Sequence, residues 1–302
     1  MGGPSSEHEV SLKSGDAVYQ ALKEERLNVI PVKLPKDLDA VDDHIDVLLK
    51  QIIEDAGIDL VFNSLHGSFG EDGQLQRILD KLGVRYTGSK AKSSAWAMDK
   101  IASHNIFRKR GIPVPRYWVL TQRDIDSRDF PLPVVIKPAK GGSSIGVSIV
   151  EDRESLEEAI HLAFTYDERI IIEEYIRGEE ITVAILDDRP LSVIQIIPRH
   201  KFYSYQAKYE DRGTQYLLPP PLAADFQSRA QTQALKAHRA LECTCFSRTD
   251  MILGQDKIPV VLEVNTIPGL TQRSLLPKAA RAENISFNRL CLKILESALQ
   301  DK

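Results

Sequence analysis

Apolar residues recur at helical spacing near the start of the chain and then gather into short runs. Between Val10 and Leu22 they follow a helical period, which predicts an amphipathic helix. LNVIPVKL (27–34) and IDLVFNSL (58–65) are typical of β-strands, and the pattern between them predicts a helix over 41–56. Helices and strands that alternate in this way indicate a parallel sheet.

A second pattern starts after YTGS, residues 86–89. A helix is predicted from about Asp99 to Gly111, since prolines follow directly. LPVVIKP and IGVSIVE are β-rich runs joined by a loop of glycine and serine, and a helix (SLEEAIHLAF) and a strand (RIIIEEYI) come next. This order predicts a smaller, antiparallel α+β unit.

A third unit begins at Gly178. The strands EEITVAILDD, LSVIQII and VVLEV alternate with a helix near 224–242, and a helix rich in Leu and Ile ends the chain. Residues 199–221 lack a regular period, and structureless loops of that length are usually functional or disordered. We therefore expect three domains, at 1–98, 99–177 and 178–302.

Composition excludes several classes of protein. The 302 residues are 42% apolar, and 39 basic against 43 acidic residues give a net charge of -4. Because the basic residues form no dense run, we expect no nucleic-acid partner. Cys243, Cys245 and Cys291 lack CxxC spacing, which indicates a reducing compartment and small buried side chains rather than disulfides or zinc.

The length of the apolar runs indicates where the protein is located, and the N-terminal segment bears on the first sheet. No apolar run approaches the roughly 20 residues that span a bilayer, so we expect a cytoplasmic protein without a membrane segment. MGGPSSEHEVSLKSG opens with a glycine turn of the kind that follows a first strand, yet no strand precedes it. We expect a sheet one strand short, with an exposed apolar edge, from a misassigned start codon or in a weakened domain.

The stretch VVLEVNTIPG places Glu263 and Asn265 at i and i+2, on one face of a short strand. Two oxygen ligands there suit a hard cation, and the turn at Gly269 offers backbone amides to an anion. Arg248 and Asp250 share a face of another predicted strand. If the two strands are neighbours, the acidic and amide oxygens can surround Mg²⁺. The alternatives are a solvated edge strand and an ion pair within one strand.

The loop KGGSSIG offers backbone amides and the hydroxyls of Ser143 and Ser144 to an anion, with Lys137 at the preceding strand end. Its glycine spacing resembles a Walker A loop, but Val147 replaces the required lysine and a strand follows. No GxGxxG links a strand to a helix. The alternative is an ordinary flexible hairpin.

Two further segments are candidates. HGSFGEDG (66–73) follows a predicted parallel strand, where open α/β sheets bind ligands, although His66 is also compatible with a structural role. FYSYQAKYED (202–211) places tyrosines and Lys208 in the irregular loop, as in a lid or an interface, or in an ordinary solvated loop.

Together these residues resemble the D-alanine–D-alanine ligase family of the ATP-grasp superfamily. The motifs that carry the resemblance occur in order along nearly the whole chain: EHEVSLKSG, HGSFGEDGQLQ, YTGS, AMDK, VIKPAKGGSSIGVS, GEEITVAIL, FYSYQAKY, SRTD and LEVNTIPGLTQRSLLPKAA. The resemblance implies an α/β and α+β fold of three domains: a parallel-sheet N-terminal domain, and two antiparallel-sheet domains that enclose ATP. It also implies a ligase that joins two D-alanine molecules through an acyl phosphate for peptidoglycan, and a homodimer.

The resemblance assigns roles to individual positions. The implied ligands of two Mg²⁺ (or Mn²⁺) ions are Asp250, Glu263 and Asn265. The implied ATP-binding residues are Lys100, Lys137 and Lys208 at the phosphates, Glu180 at the ribose, and Glu173, Glu174 and Ile176 at the adenine. The implied substrate residues are Glu7 and His66 for the first D-alanine, and Ser274 and Leu275 for the second. The implied oxyanion donors are Arg248 and the Gly269 amide.

The same resemblance implies that Tyr209 closes a lid through Ser143 and Glu7. The Lys208–Tyr209 pair is similar to that of dipeptide-forming ligases, so D-alanine is the expected second substrate. Two alternatives stay open: a D-alanine–D-lactate ligase, and a non-catalytic ATP-binding remnant in which the short sheet misplaces Glu7.

Overall fold

The computed structural model describes residues 1–38, 44–124, 130–198 and 213–300. Its helices are α1 (His8–Glu24), α2 (His44–Ala56), α3 (Gln74–Leu82), α4 (Ala91–Met98), α5 (Lys100–Lys109), α6 (Leu156–Phe164), α7 (Ala224–Ala240), α8 (Leu275–Ala282) and α9 (Phe287–Gln300), with a short 3-10 helix at Gln122–Asp124.

The strands form three sheets. They are β1 (Leu60–Val61), β2 (Arg85–Tyr86), β3 (Tyr117–Thr121), β4 (Val134–Pro138), β5 (Ser148–Val150), β6 (Arg169–Glu174), β7 (Gly178–Leu186), β8 (Arg189–Pro190), β9 (Ile194–Ile197), β10 (Gln215–Leu217), β11 (Phe246–Gly254) and β12 (Pro259–Asn265). Each sheet falls within one of the three ranges predicted for the domains, whose boundaries stay predictions.

The first sheet is parallel, as predicted, but it is smaller than expected. It consists of β1 and β2 alone among the described residues. The prediction of full strands over 27–34 and 58–65 was wrong. The first segment forms a single parallel bridge at Leu34, and the second contains only the two-residue strand β1. Apolar content suits a strand, but a strand persists only where a neighbouring backbone accepts and donates its hydrogen bonds.

The N-terminal residues pack against the segment that precedes this two-stranded sheet. The Met1 ammonium donates to the Val32 carbonyl (2.9 Å), and the Leu34 amide donates to the Met1 carbonyl (2.9 Å). Burial lowers the pKa of the Met1 ammonium to about 6. An apolar cavity of about 420 Å³ opens next to it between α1, α2 and α3, and Ile30 nearby is 46% exposed. Apolar surface is therefore exposed beside α1 and α2.

The second sheet is antiparallel, with strand order β3-β6-β4-β5, as predicted for the α+β unit. Alternation along β4 buries Val134 and Ile136 in a core beneath α6. Lys137 therefore faces the opposite side of the sheet. The pattern before β3 is proline-rich, and β3 was not predicted.

The third sheet is antiparallel in the order β10-β9-β7-β11-β12, with β8 on β7. One face packs Ile181, Val183 and Met251 against the alanines of α7. The other face carries an apolar core with α1, α8 and α9 at one end of the strands. The prediction of an irregular segment over 199–221 was wrong in part, because it contains β10; residues 199–212 lie outside the described residues.

The predicted helices are confirmed at α1, α5, α6, α7 and α9, and α2 begins at His44 in the described part of the chain. The apolar interpretation of the cysteines is also confirmed, because Cys243, Cys245 and Cys291 are free and buried. Burial raises the pKa of the Cys243 thiol to about 12. Within the described ranges, no helix is long and apolar enough to cross a membrane.

Two glycines that bound α3 provide a matched test of backbone strain. Gly73 and Gly83 both have positive φ, at 89° and 68°. A Cβ at Gly73 would lie 2.3 Å from the Ala91 carbonyl oxygen, whereas a Cβ at Gly83 meets nothing within 4 Å. We expect Gly83→Ala to cost about 1 kcal/mol of unfolding free energy and Gly73→Ala clearly more. Urea unfolding measures both, and equal losses would contradict the prediction.

Candidate functional site

A polar cavity of about 70 Å³ lies between the second and third sheets. Its polar lining comes from both sheets, from the start of α5 and from the loop between β4 and β5, and it includes Lys100, Lys137, Gly142, Glu180, Asp250 and Glu263. The lysine ammonium groups thus reach the cavity from α5 and from the second sheet, and the carboxylates reach it from the third sheet. This arrangement suits a ligand with phosphate groups that also carries a metal ion.

The carboxylates meet because β11 and β12 are neighbours, as the sequence predicted. The antiparallel register sets Asp250 opposite Glu263 and Arg248 opposite Asn265. Residues directly opposite each other project from the same face of a sheet. Met251 and Val264 project from the other face into the core beneath α7. The pleat alone therefore gathers the four polar side chains on the cavity side.

Arg248 and Asp250 form a bidentate ion pair, as the alternative interpretation of the strand predicted. Arg248 Nε donates to Asp250 Oδ1 at 2.8 Å and Nη2 donates to Oδ2 at 2.7 Å. The Thr182 hydroxyl of β7 also donates to Asp250 Oδ1, at 2.6 Å. These donors hold the carboxylate in one orientation beside the cavity.

The donor set fits a hard divalent cation. Asp250 and Glu263 supply carboxylate oxygens, and Asn265 supplies an amide oxygen that the Ile267 amide already orients at 2.9 Å. Mg²⁺ commonly binds one or two carboxylates and completes its shell with phosphate and water oxygens. In the described parts of the chain, no group of three or more His, Cys, Asp or Glu residues could hold a metal ion. An open site of few carboxylates is consistent with an ion that arrives with phosphate.

Two lysines reach the cavity from different elements. Lys100, at the start of α5, donates to the Gly141 carbonyl at 2.7 Å and lies 3.8 Å from Glu263 Oε2. Lys137, on β4, donates to Glu173 Oε2 at 2.7 Å. Since Lys100 and Lys137 are 9% and 12% exposed in their side chains, they act in a largely desolvated environment.

Glu173 is buried rather than exposed to the cavity. Burial alone would raise the pKa of its carboxyl group, but Lys137 and His104 outweigh burial and lower the pKa to about 2. Glu174 beside it is exposed and Ile176 is partly buried, so the three residues predicted at the adenine differ in environment. Glu173 Oε2 is engaged by Lys137.

The pKa of Glu173 gives a prediction about acid stability. A carboxyl group with a lowered pKa stabilises the fold above its usual pKa of 4.5 and loses that contribution as the pH falls towards 2. We expect Glu173→Gln to lower the free energy of unfolding at neutral pH, and the deficit to shrink as the pH falls below about 4.5. Urea unfolding across a pH series measures this, and a deficit independent of pH would contradict it.

The glycine and serine loop contacts the start of α1. The Ser143 hydroxyl donates a short hydrogen bond to Glu7 Oε1, and a Cβ at Gly142 would lie 3.2 Å from Glu7 Oε2. Ser143 and Ser144 have positive φ, at 53° and 59°. The loop does join two paired strands, as a hairpin would, but it also packs on a buried carboxylate of the first domain.

His66 lies in a buried polar cluster behind Glu7. Its Nδ1 lies 3.5 Å from Glu71 Oε1, and its Nε2 is 2.9 Å from the Ser14 hydroxyl. Burial opposes a charge on His66, but Glu71 and, more weakly, Glu7 raise its pKa above the usual value. Burial raises the pKa of Glu71 as well. Glu71, within the candidate segment 66–73, therefore belongs to the buried cluster around His66.

The turn after β12 comes close to the same cluster. The Leu270 amide donates to the Ser14 hydroxyl at 3.2 Å, so Ser14 links this turn to His66. Ser274 precedes α8, and its hydroxyl accepts from the Thr271 amide at 3.1 Å. Leu275 is buried at the first position of α8. The structure thus brings the segment after β12 against α1 at Ser14.

Some residues escaped the sequence analysis, and others lie outside the description. Three residues that contact the site are more than 50 positions away in sequence from the residues they touch, so no local pattern indicates them. They are Thr182, Ser14 and His104. Lys208 and Tyr209, with the rest of the predicted lid, lie outside the described residues. Their assignment stays a prediction.

Comparison with known proteins gives full-length matches. Residues 42–89 match the family described as D-ala D-ala ligase N-terminus, and residues 106–296 match D-ala D-ala ligase C-terminus. A D-alanine--D-alanine ligase of Citrifermentans bemidjiense is 42% identical over 298 residues, which is 99% of this chain and 94% of the relative.

Solved structures agree. D-alanine--D-alanine ligase from Bacillus anthracis complexed with ATP is 35% identical with a TM-score of 0.83, covering 99% of this chain and 96% of that one. VanG D-Ala:D-Ser ligase from Enterococcus faecalis is 30% identical with a TM-score of 0.85, covering 99% and 97%. The predicted ATP-grasp fold is confirmed by these neighbours.

Proposed function

The chain belongs to the D-alanine–D-alanine ligase family, and we propose that its cavity joins two D-alanine molecules in an ATP-dependent reaction. Phosphorylation of one carboxylate to an acyl phosphate precedes attack by the amine of the second molecule, and the dipeptide serves peptidoglycan synthesis. The observation that carries the proposal is the convergence of Lys100, Lys137, Asp250 and Glu263 on one cavity, in a chain that matches the family over its whole length.

Phosphoryl transfer mainly requires positioning and stabilisation of spread oxygen charge. Lys100 and Lys137 would bind ATP phosphate oxygens, and Glu180, which lines the same cavity, would hold the ribose. The segment Glu173–Ile176 remains our proposal for the adenine side. A divalent ion at Asp250, Glu263 and Asn265, Mg²⁺ or Mn²⁺, would neutralise phosphate charge; we propose two such ions.

The bond-forming step creates a negative tetrahedral oxygen. The Arg248 guanidinium projects on the cavity side of β11, and its fixed pairing with Asp250 keeps it in place. The Gly269 amide lies in the turn that follows β12. We propose these two groups as the oxyanion donors, because preorganised donors need no reorientation as the charge develops.

The buried cluster behind the loop supplies the substrate side. Glu7 and His66 would bind the first D-alanine, since a carboxylate can accept from its ammonium group. Ser274 and Leu275 would bind the carboxylate of the second D-alanine. Ser143, already bonded to Glu7, would connect this pocket to Tyr209 in the lid and so help to orient proton transfer from the amine.

The second substrate separates the alternatives. One structural neighbour bears the name of a D-Ala:D-Ser ligase, so D-serine and D-lactate deserve direct comparison with D-alanine. The Lys208–Tyr209 pair favours D-alanine. An amine must be deprotonated to attack whereas a hydroxyl acid need not, so competition between D-alanine and D-lactate should shift towards D-alanine as the pH rises.

We also propose that the protein acts in the cytoplasm as a homodimer. The support is the family relationship and, for the location, the free and buried cysteines, which suit a reducing compartment. Sedimentation of the purified chain tests the dimer, and a monomer at micromolar concentration would reject it.

The decisive experiment measures phosphate release from ATP by the purified 302-residue chain with Mg²⁺. Separate arms contain D-alanine, L-alanine, D-alanine with D-lactate, and D-alanine with D-serine, and mass spectrometry identifies the product. Release that depends on D-alanine and yields the dipeptide supports the proposal. ATP binding without release would instead support the non-catalytic remnant, and a mixed product would assign the alternative ligase.

A further inference from the structure

His104 is a buried titratable residue without a role in the proposed mechanism. It lies on α5 and is fully buried. Tyr117 meets its ring edge-on at 5.2 Å between centroids, and Phe107 lies 6.4 Å away. Among the described residues, neither ring nitrogen of His104 has an aligned hydrogen-bond partner, which is costly for buried polar atoms.

Glu173 on β6 is the charged neighbour: it lies within ion-pair range of His104, but the two groups are misaligned for a hydrogen bond. His104 Nε2 lies 3.2 Å from Glu173 Oε1, while the other carboxylate oxygen of Glu173 accepts from Lys137 Nζ at 2.7 Å. Glu173 is 1% exposed, so these two neighbours, rather than water, balance its charge. A continuous polar contact therefore runs from the interior of α5 to an ammonium group that lines the ligand cavity.

We propose that His104 is a positioning residue for ATP: it shares the Glu173 carboxylate and so leaves Lys137 able to bind a nucleotide phosphate. The inference rests on the proposed function through the role given to Lys137. It adds a determinant that touches neither ATP nor D-alanine and acts through Glu173.

The direction of the effect follows from charge balance. Without a donor at position 104, Lys137 becomes the main counter-charge of a desolvated carboxylate. The ammonium group must then be drawn away from Glu173 to reach a phosphate, and Glu173 loses part of its compensation when it moves. ATP binding weakens, while the D-alanine pocket at Glu7 and His66 is unchanged.

Two amide substitutions make the test sharp. In His104→Gln the amide can reach the carboxylate in place of Nε2, whereas in His104→Asn it is one methylene shorter. His104→Leu removes the donor altogether. Asn105→Ala is the matched control, because Asn105 is exposed on the same helix and accepts from the Tyr117 hydroxyl at 2.9 Å without contacting Glu173.

The measurements are the KM for ATP, the KM for D-alanine, kcat, the melting temperature, and the Kd for ATP by calorimetry without D-alanine. We expect His104→Leu and His104→Asn to raise the Kd and KM for ATP by roughly tenfold, as for loss of one of the two polar neighbours of a buried carboxylate. The KM for D-alanine should stay within about twofold, and His104→Gln and Asn105→Ala should bind ATP like the wild type.

The outcomes separate the two proposals. If the wild type shows no turnover that depends on D-alanine, the proposed function fails, but the Kd for ATP still tests the link from His104 to Lys137. If His104→Asn and His104→Leu lower the melting temperature yet keep the wild-type Kd, His104 is only structural and the inference is overturned. If His104→Leu does not fold, the comparison of His104→Gln with His104→Asn tests the inference. Equal Kd values for ATP in these two variants overturn the inference.

Discussion

Replacing Arg248 with alanine is expected to lower kcat by about 10²- to 10³-fold, the effect of removing a preorganised oxyanion donor. The residue is held in one place by both oxygens of Asp250, at 2.8 and 2.7 Å, and it shares a strand face with Asp250, which lines the cavity. The loss should fall on the chemical step. Because Thr182 still donates to Asp250 in the variant, we expect ATP to bind at close to wild-type affinity.

Arg239 offers a matched control. Its Nε also donates to both oxygens of an aspartate, Asp188 (2.9 and 3.1 Å), but its side chain is 61% exposed on α7. Arg239→Ala should therefore leave kcat unchanged and the free energy of unfolding close to that of the wild type, because exposed ion pairs contribute little. An Arg248→Ala variant that folds, binds ATP and turns over within about threefold of the wild type would exclude the oxyanion role.

Glu263→Gln is expected to give the second large loss, about 10²-fold in kcat at low Mg²⁺. The change keeps the shape of the side chain but removes one of two carboxylate charges that face each other across β11 and β12. A weaker ion site stabilises less phosphate charge, and a loss of about 3 kcal/mol of transition-state stabilisation corresponds to this factor. Raised Mg²⁺ or Mn²⁺ should restore part of the activity.

Glu179→Gln is the control for this substitution. Glu179 lies on the same sheet and pairs with Lys257 at 3.3 Å, but its side chain is 38% exposed. Its loss should change neither kcat nor the Mg²⁺ concentration required for half-maximal rate. If Glu263→Gln behaves in the same way, the ion is not bound by Glu263. Chelation of divalent ions with EDTA should abolish turnover of the wild type reversibly.

Much of the candidate site follows from local sequence. Arg248 and Asp250 were placed on one strand face by their spacing, as were Glu263 and Asn265, because side chains alternate along any strand. The antiparallel unit around Lys137 was also predictable, since two β-rich runs flank a loop of glycine and serine. The motifs then identified the family, which full-length relatives confirm.

Other features required the tertiary structure. The register of β11 and β12 places Asp250 opposite Glu263. The contacts of Ser14 with His66 and of His104 with Glu173 join residues that are far apart in sequence, so local patterns do not predict them. No periodicity encodes such pairs, because each depends on how distant elements pack.

The sequence by itself determined the order of elements, the face on which each strand carries its polar residues, and the family. The tertiary structure decided which predicted strands form and which charged side chains lie next to each other. Residues 27–34 have the composition of a strand, yet the structure has a single β-bridge there, at Leu34, because a strand needs a neighbouring backbone along its length. Likewise, Glu173 is a surface-type residue by sequence, but burial between Lys137 and His104 makes it part of the site's electrostatics. Propensity is local, whereas pairing and desolvation are set by the whole fold.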